Sequence, residues 1–386
     1  MPPPPELMDE LVGEILLRLP PDEPEHLFRA ALVCKPWLRI LCDAAFLRRY
    51  RAFHGAPPLL GLLHQRQVVK GDPPTRFAST TSLPDFPHPG ADGRRTRSLD
   101  CRHGRVLIHM LEDESVDYLV VFDPITGDKH GLPEPDIEWL IYSAVVLCAV
   151  DGCDHLDCHG GPFLVVFMAT LEYEDNIVAT VYSSEEGAWS VPVTFDNGCE
   201  AYVQHMRDGL AVNPCYTPYL QPRRGTVVGD AMYFTIRRGN TIVKYEWGKN
   251  CLSMINPPSP NVFYNALMAM EDSSLGFACV QYSTTSLYTW SRKVDSGATE
   301  WVQDRVIELK TIIPVVNPEQ KPFVVGSAEG VGVIFISTDA GLFTLKLNSG
   351  QVKKVVEEPG FYFSSVLPYM SFYTPEIDIF VYAREN

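Results

Sequence analysis

The spacing of apolar residues changes character once along this chain, near Gly55. Up to that point it is helical: Leu7, Leu11 and Ile15 recur every four residues, and Val12, Leu16 and Leu19 widen the stripe. Pro20 and Pro21 are expected to end this first helix. Asp22 is the expected N-cap of a second, with Pro24 in its first turn and Leu27, Ala30, Ala31, Val33 and Cys34 on its apolar side. Pro36 restarts the chain, and Trp37, Ile40 and Leu41 give a short third stripe. Asp43 is placed to cap a fourth helix carrying Phe46, Tyr50 and Phe53, with Gly55 as its stop. Helices this short are not stable singly, and about fifty residues make a thin core. Apolar groups left over require a partner surface. The pattern by itself predicts a small helical interaction module over residues 7–55, behind a Pro-rich extended leader at residues 1–6.

Beyond Gly55 the period becomes that of strands. Arg105–Met110, Tyr118–Phe122 and Phe163–Met168 are short, β-branched or aromatic, and separated by Gly, Pro, Asn and Asp. The apolar run Ala144–Val150 reads as a buried strand, far short of the roughly 20 residues a membrane helix needs. No amphipathic helix is expected between Pro57 and the C-terminus, so residues 56–386 read as all-β. The segment Gly71–Arg97, rich in Pro, Gly, Ser and Thr, is expected to hold a long surface loop.

Five turns punctuate this region: Asp123–Gly127, Ser183–Gly187, Trp247–Asn250, Asp295–Gly297 and Asn348–Gly350. They recur every ~50–60 residues, near the spacing of kelch-type propeller blades. Tyr182 and Trp189 flank one turn at kelch spacing, and Trp247, Trp290 and Trp301 stand at comparable places later, where large side chains pack between sheets. The kelch Gly-Gly doublet is missing. The expected fold is therefore a kelch-like β-propeller of about six blades, with a β-sandwich or partial propeller as the alternative. The five turns leave Leu59–Gln65 and Arg76–Ser79 at one end, and Phe361–Leu367 and Ser371–Tyr373 at the other, all strand-like and unassigned. A sixth blade built from both ends would close the ring and hold the helical module against it.

Charge narrows the function. A formal net charge of −16 argues against nucleic-acid binding, which needs a basic field. The basic clusters Arg48–Arg51 and Arg94–Arg97 read as a solvated helix face and a solvated loop. The first residues lack a basic and an apolar stretch, so no secretory signal is expected. With ten scattered cysteines, that points to reduced thiols and to the cytosol or nucleus. Cys148 and Cys279, in apolar surroundings, read as small core residues.

Candidate chemistry is thin. Cys153, His155, Cys158 and His159 carry metal-ligand side chains within one segment. The Cys153–Cys158 spacing is wide and no second Cys/His pair stands out nearby, so the segment reads as a loop turned by Gly160-Gly161-Pro162, with no metal expected. Cys42 and Cys101 have no obvious His partner. No phosphate-cradling Gly loop occurs. The acidic groups at Glu112–Glu114 and at Glu172, Glu174 and Asp175 read as hairpin tips. Neither a catalytic residue nor a cofactor is assigned.

The helical segment resembles the F-box family. The matching residues are Leu7, Leu11, the run Glu14–Pro20, Leu27, the run Ala31–Trp37, and Asp43–Phe46. Two positions depart from the family pattern: Met8 stands where proline usually follows the first leucine, and Pro36 replaces a polar residue. The β region is similar to F-box-associated regions of large plant families, especially of grasses. The resemblance implies docking to a Skp-type adaptor and, through it, to a cullin. The implied contacts are Leu7, Leu11, Ile15, Leu16, Leu19, Pro20, Leu27, Val33, Cys34 and Trp37. It further implies a non-catalytic substrate receptor whose propeller holds an unidentified target protein for ubiquitination. Two other classes stay open: a propeller enzyme with an incidental helical leader, and a ligand-binding protein without a ligase role.

Overall fold

The computed structural model describes residues 8–375 except 67–74, 82–95, 111–118, 196–198, 237–240, 260–264, 282–283, 296–297, 318 and 357–362. The expected loop at Gly71–Arg97 and the acidic group at Glu112–Glu114 therefore lie largely or wholly outside the described residues, as do Leu7 and the leader.

Four short helices open the chain: α1 (Asp9–Leu16), α2 (Glu25–Ala31), α3 (Lys35–Leu41) and α4 (Ala44–His54). Asp43 caps α4 as expected, accepting from the amides of Ala45 and Phe46. Gly55, at φ +73°, ends it. Two boundaries differ from expectation. Helix α1 stops at Leu16, one turn before Pro20. Pro24, not Asp22, occupies the N-cap of α2, without a side-chain cap, because proline's fixed φ already suits a helix entry. Val12, Leu16, Leu27, Leu41, Phe46 and Tyr50 form the interior of the bundle.

Six β-sheets follow. Strands β1 (Leu59–Arg66) and β2 (Arg76–Ser79) come first and wait for a late partner. The first complete blade is β3 (Thr96–Arg102), β4 (Arg105–Met110), β5 (Leu119–Phe122) and β6 (Lys129–Leu132). The second is β7 (Trp139–Cys148), β8 (Phe163–Leu171) and β9 (Ile177–Ser183), with β10 (Ala188–Trp189) and β11 (Val193–Thr194) both paired to β9. Helix α5 (Glu200–Val212) intervenes. The third blade is β12 (Thr226–Val228), β13 (Ala231–Thr235), β14 (Ile242–Glu246) and β15 (Cys251–Ile255). The fourth is β16 (Asn265–Ala269), β17 (Leu275–Val280), β18 (Ser286–Asp295) and β19 (Ala298–Glu308). The fifth is β20 (Phe323–Ala328), β21 (Val333–Thr338), β22 (Gly341–Lys346) and β23 (Val352–Val356). Last comes β24 (Phe363–Met370), which returns to pair antiparallel with β1.

The order β2-β1-β24 is the expected sixth blade, assembled from both ends of the β region, except that Ser371–Tyr373 is not a strand of it. Strand β24 supplies its innermost position, beside β20 of the fifth blade and β3 of the first. Gly326 permits that approach, since a Cβ there would lie 2.8 Å from the Val366 carbonyl oxygen. The architecture is thus a six-bladed β-propeller. Each of the five turns singled out by sequence connects the third and fourth strands of a complete blade. Gly127, Gly187, Asn250 and Gly350 take positive φ in them.

Apolar clusters fill all six seams between adjacent blades, including the closing one, where Leu60, Leu63 and Leu367 meet Val106 and Ile108. Two tryptophans stitch blades in the same way. Trp189 on β10 donates its indole N–H to the Pro133 carbonyl (2.9 Å), and Trp301 on β19 donates to that of Asn256 (2.8 Å). Each acceptor directly follows the last strand of the preceding blade. Tyr182 and Trp189 face one another across their hairpin, ring centroids 5.4 Å apart.

The region is all-β as expected apart from helix α5, which corrects the expectation of no helix after Pro57. Its apolar side is narrow: Tyr202 is buried and stacks on Phe195 at 4.5 Å, Met206 packs beside it, and Leu210 and Val212 are exposed. Gly209 sits within the helix because the Tyr216 ring lies on it; a Cβ there would run into that ring. A helix held by tertiary stacking, with a glycine near its C-terminal end, carries little periodic signal. Among the described residues, no helix is long and apolar enough to cross a membrane.

Candidate docking surface

The helical period makes α1 two-faced. Val12 and Leu16 point into the bundle, whereas Met8, Leu11 and Ile15 lie on the adjacent stripe and are 63%, 47% and 53% exposed. Leu32 and Val33, in the turn between α2 and α3, are 70% and 63% exposed, and Cys34 and Pro36 beside them are exposed too. Val33 and Cys34 therefore lie past the end of α2, not on its apolar side as the spacing suggests. Large apolar side chains seldom stand in water in such a set without a partner.

The residues implied by the resemblance fall into three groups. Leu11, Ile15, Pro20, Val33 and Cys34 are exposed and available. Leu19 and Trp37 are half-buried against the bundle core. Leu16 and Leu27 are buried in that core, so they support the surface from beneath. Leu7 lies outside the described residues.

Polar ties hold the surface in shape. The Tyr50 hydroxyl donates to the Leu19 carbonyl at 2.8 Å, fixing the chain just before Pro20. Burial, reinforced by Asp22, pushes that phenol well above its ordinary range, so it stays a donor. Arg49 on α4 reaches Glu14 on α1 at 2.5 Å.

The bundle core is not self-contained. Phe372 belongs to it, and Leu156 packs against it; both come from the β region. Tyr373 lies against Phe28 at 4.9 Å, and the Cys42 thiol donates to the Pro375 carbonyl at 3.5 Å. Arg51 forms an ion pair with Asp157. The chain after β24 and the loop between β7 and β8 thus clamp the helices to the ring, as the sixth-blade reading expected.

At the propeller axis, four charged side chains from three blades converge. Arg102 donates to Asp100 at 2.6 Å and grips Glu329 with two bonds of 2.9 and 2.6 Å. Arg224 donates to Asp100 at 2.9 Å and to Glu329 at 3.3 Å. The Val146 amide, from the second blade, also donates to Asp100 at 3.0 Å. Burial raises the Glu329 carboxyl, but Arg102 and Arg224 outweigh it and hold it at about 2. Two guanidinium groups against two carboxylates form a closed, neutral lock. Each of the four carboxylate oxygens accepts from an arginine.

One cluster departs from the sequence reading. Cys153, His155 and Cys158 do converge, and the fourth member is Cys148 at the end of β7, half-buried and not a core thiol. His159 stands apart, paired through Nδ1 with Asp123 at 2.5 Å. The spacing Cys-x4-Cys-x-His-x2-Cys was visible in the sequence; the apolar run before Cys148 masked it.

Two family models match the chain. The F-box domain model matches residues 5–49, and the model described as F-box protein AT5G49610-like, beta-propeller matches residues 97–377. No curated protein matches the chain. Solved structures similar to it include a protein from Lactobacillus plantarum (9% identity, 80% of this chain and 98% of that one, TM-score 0.41). The Hadza microbial sialidase Hz136 is another (10%, 77% and 65%, TM-score 0.41). A post-proline cleaving enzyme from Rickettsia typhi matches at 11% identity over 68% of this chain, with TM-score 0.35. The present chain spans only 36% of that enzyme's length. Likenesses this distant carry no argument. The exposed apolar surface on four short helices, the six-bladed ring and the two family matches lead to one assignment: the chain belongs to the F-box protein AT5G49610-like β-propeller family.

Proposed function

We propose that the chain is the substrate-recognition subunit of a Skp-cullin-F-box ubiquitin ligase, working in the cytosol or nucleus. The helices dock a Skp-type adaptor, which brings the cullin, and the propeller presents a target protein for ubiquitination. The observation that carries this reading is the apolar set Met8, Leu11, Ile15, Leu32 and Val33, left exposed although the bundle has its own buried core. F-box domains generally bind Skp-type adaptors, and a domain of that family matches here. The direct contacts in this reading are Leu7, Leu11, Ile15, Leu19, Pro20, Val33, Cys34 and Trp37, with Leu16 and Leu27 as their support. A non-catalytic role is favoured by the arginine-locked carboxylates at the propeller axis.

The test uses the full chain co-expressed with a Skp-type adaptor. Ile15→Asp and Val33→Asp each place a carboxylate on an exposed apolar position, so the bundle stays folded while docking would bury an unpaired charge. Adaptor binding is expected to weaken at least about thirty-fold in each, the scale of an interface hot spot. Leu16→Asp is a poor probe, because it places the charge in the bundle core. Undiminished binding in both exposed variants overturns the reading. Adaptor binding without entry into a cullin complex would favour a Skp-linked role outside a ligase.

A further inference from the structure

We propose that the loop between β7 and β8 is a structural zinc site, with Cys148, Cys153, His155 and Cys158 as its four ligands. One ligand atom from each lies within 4.8 Å of all the others. Cys153 Sγ and Cys158 Sγ are 3.6 Å apart, and Cys158 Sγ lies 3.6 Å from His155 Nδ1. A tetrahedral zinc with its usual bonds to sulfur and imidazole nitrogen holds neighbouring ligand atoms about 3.5–3.8 Å apart. The sulfur separation is far too long for a disulfide, whose bond is about 2 Å. Three thiolates and one imidazole make a closed, four-coordinate set, the type that holds structure and leaves no open position for chemistry.

The loop's backbone is shaped around these atoms. Its two ends are tied by the Ala149 amide donating to the Pro162 carbonyl at 3.1 Å. Gly152 and Gly160 take positive φ, and so does His155, at +58°. A non-glycine residue in the left-handed region needs a reason, and here the turn is what brings the His155 ring over the thiols. The same turn aims the His155 amide at Cys153 Sγ, 3.4 Å away. Outside the cluster, the His155 ring stacks on His103 with centroids 4.1 Å apart and planes within 4°, fixing its orientation. The buried Arg105 guanidinium donates to the carbonyls of Cys158 and Gly161, anchoring the far side of the loop.

The location gives the metal a task. Within the same loop, Leu156 packs against the helical core, Asp157 pairs with Arg51 of α4, and His159 meets Asp123 and, at 3.4 Å, Ser371. The cluster therefore stands at the junction where the helices meet the ring. A zinc there would fix the loop and, through it, the seating of the docking module on the propeller.

Elemental analysis of the purified full chain, after exchange into metal-free buffer, is expected to find about one zinc per chain. Cys153→Ser and Cys158→Ser should each lower this below about a tenth, while Cys215→Ser and Cys251→Ser, at exposed cysteines outside the cluster, leave it unchanged. Should the ligand variants misfold, the unaltered chain gives a second reading. Stripped with chelator and supplied with cobalt(II), it should show the visible bands of a tetrahedral thiolate site. Chelation should also open the loop to protease near Asp154–Asp157, with the β-structure retained. Absence of zinc from chain produced in zinc-supplemented medium, together with no cobalt spectrum, overturns the proposal. So does a Cys153–Cys158 disulfide in the isolated protein, or zinc that persists in a Cys153→Ser, Cys158→Ser double variant.

Discussion

Deleting everything after Pro359 is expected to unfold the whole propeller, although only the chain's last 27 residues are lost. The deletion removes β24, the innermost strand of the sixth blade, and leaves β1 and β2 as a two-stranded remnant. Two neighbouring blades then face a gap, since β24 lies beside both β20 and β3. Phe363, Val366, Leu367, Tyr369 and Phe372 are all buried. At about 1.5–3 kcal/mol per side chain their burial amounts to roughly 10 kcal/mol, comparable with the entire stability of a typical domain. An isolated hairpin is only marginally stable, and the opened ring exposes strand edges prone to pair with other chains. The helices suffer as well, because Phe372 is part of their core. Circular dichroism and thermal melting of the truncated chain provide the check. Melting at the parent temperature with unchanged β-structure would show that the ring does not depend on its C-terminal strand.

Removing one arginine from the axial lock is expected to cost about 3–5 kcal/mol, the usual result of stranding a buried charge. In Arg102→Met, Asp100 and Glu329 share only Arg224, and Asp100 is fully enclosed. The penalty falls on several blades together, because the four side chains come from the first, third and fifth and Asp100 also holds Val146 of the second. Equilibrium unfolding in denaturant measures it. Acid adds an independent signature. The folded Glu329 carboxyl sits at about 2, below its ordinary 4.5. Its contribution is therefore complete above about pH 4.5 and is lost as pH falls towards 2. Glu329→Gln should flatten that part of the stability–pH curve, and Arg102→Met should shift the loss to higher pH. An Arg102→Met chain as stable as the parent would mean the lock is not what holds the axis.

Much of this architecture is written locally. The stripes at Leu7–Leu19, the Asp43 cap and the Gly55 stop specify short helices, because helix periodicity and capping act within a few residues. The five turns specify outer hairpins for the same reason: Gly127, Gly187, Asn250 and Gly350 accept positive φ wherever they stand. Closure of the ring was also legible. Strand-like segments left over at both ends of one β region have few ways to satisfy their backbone other than with each other.

What the tertiary structure decided is which side of each pattern meets protein and which meets solvent. Leu11, Ile15 and Leu16 belong to one periodic set, yet only the packing of the helices exposes the first two and buries the third. Helix α5 is held by the stacking of Tyr202 on Phe195 and by the Tyr216 ring lying on Gly209, contacts to which a periodicity argument is blind. The axial lock joins residues 100, 102, 224 and 329, and the bundle core takes in Leu156 and Phe372. Those partners are separated by one to more than three hundred residues, as when Phe28 meets Tyr373. Local propensity reaches only along the chain; blade order and ring closure set the distances between such groups, so their chemistry appears only once the ring is shut.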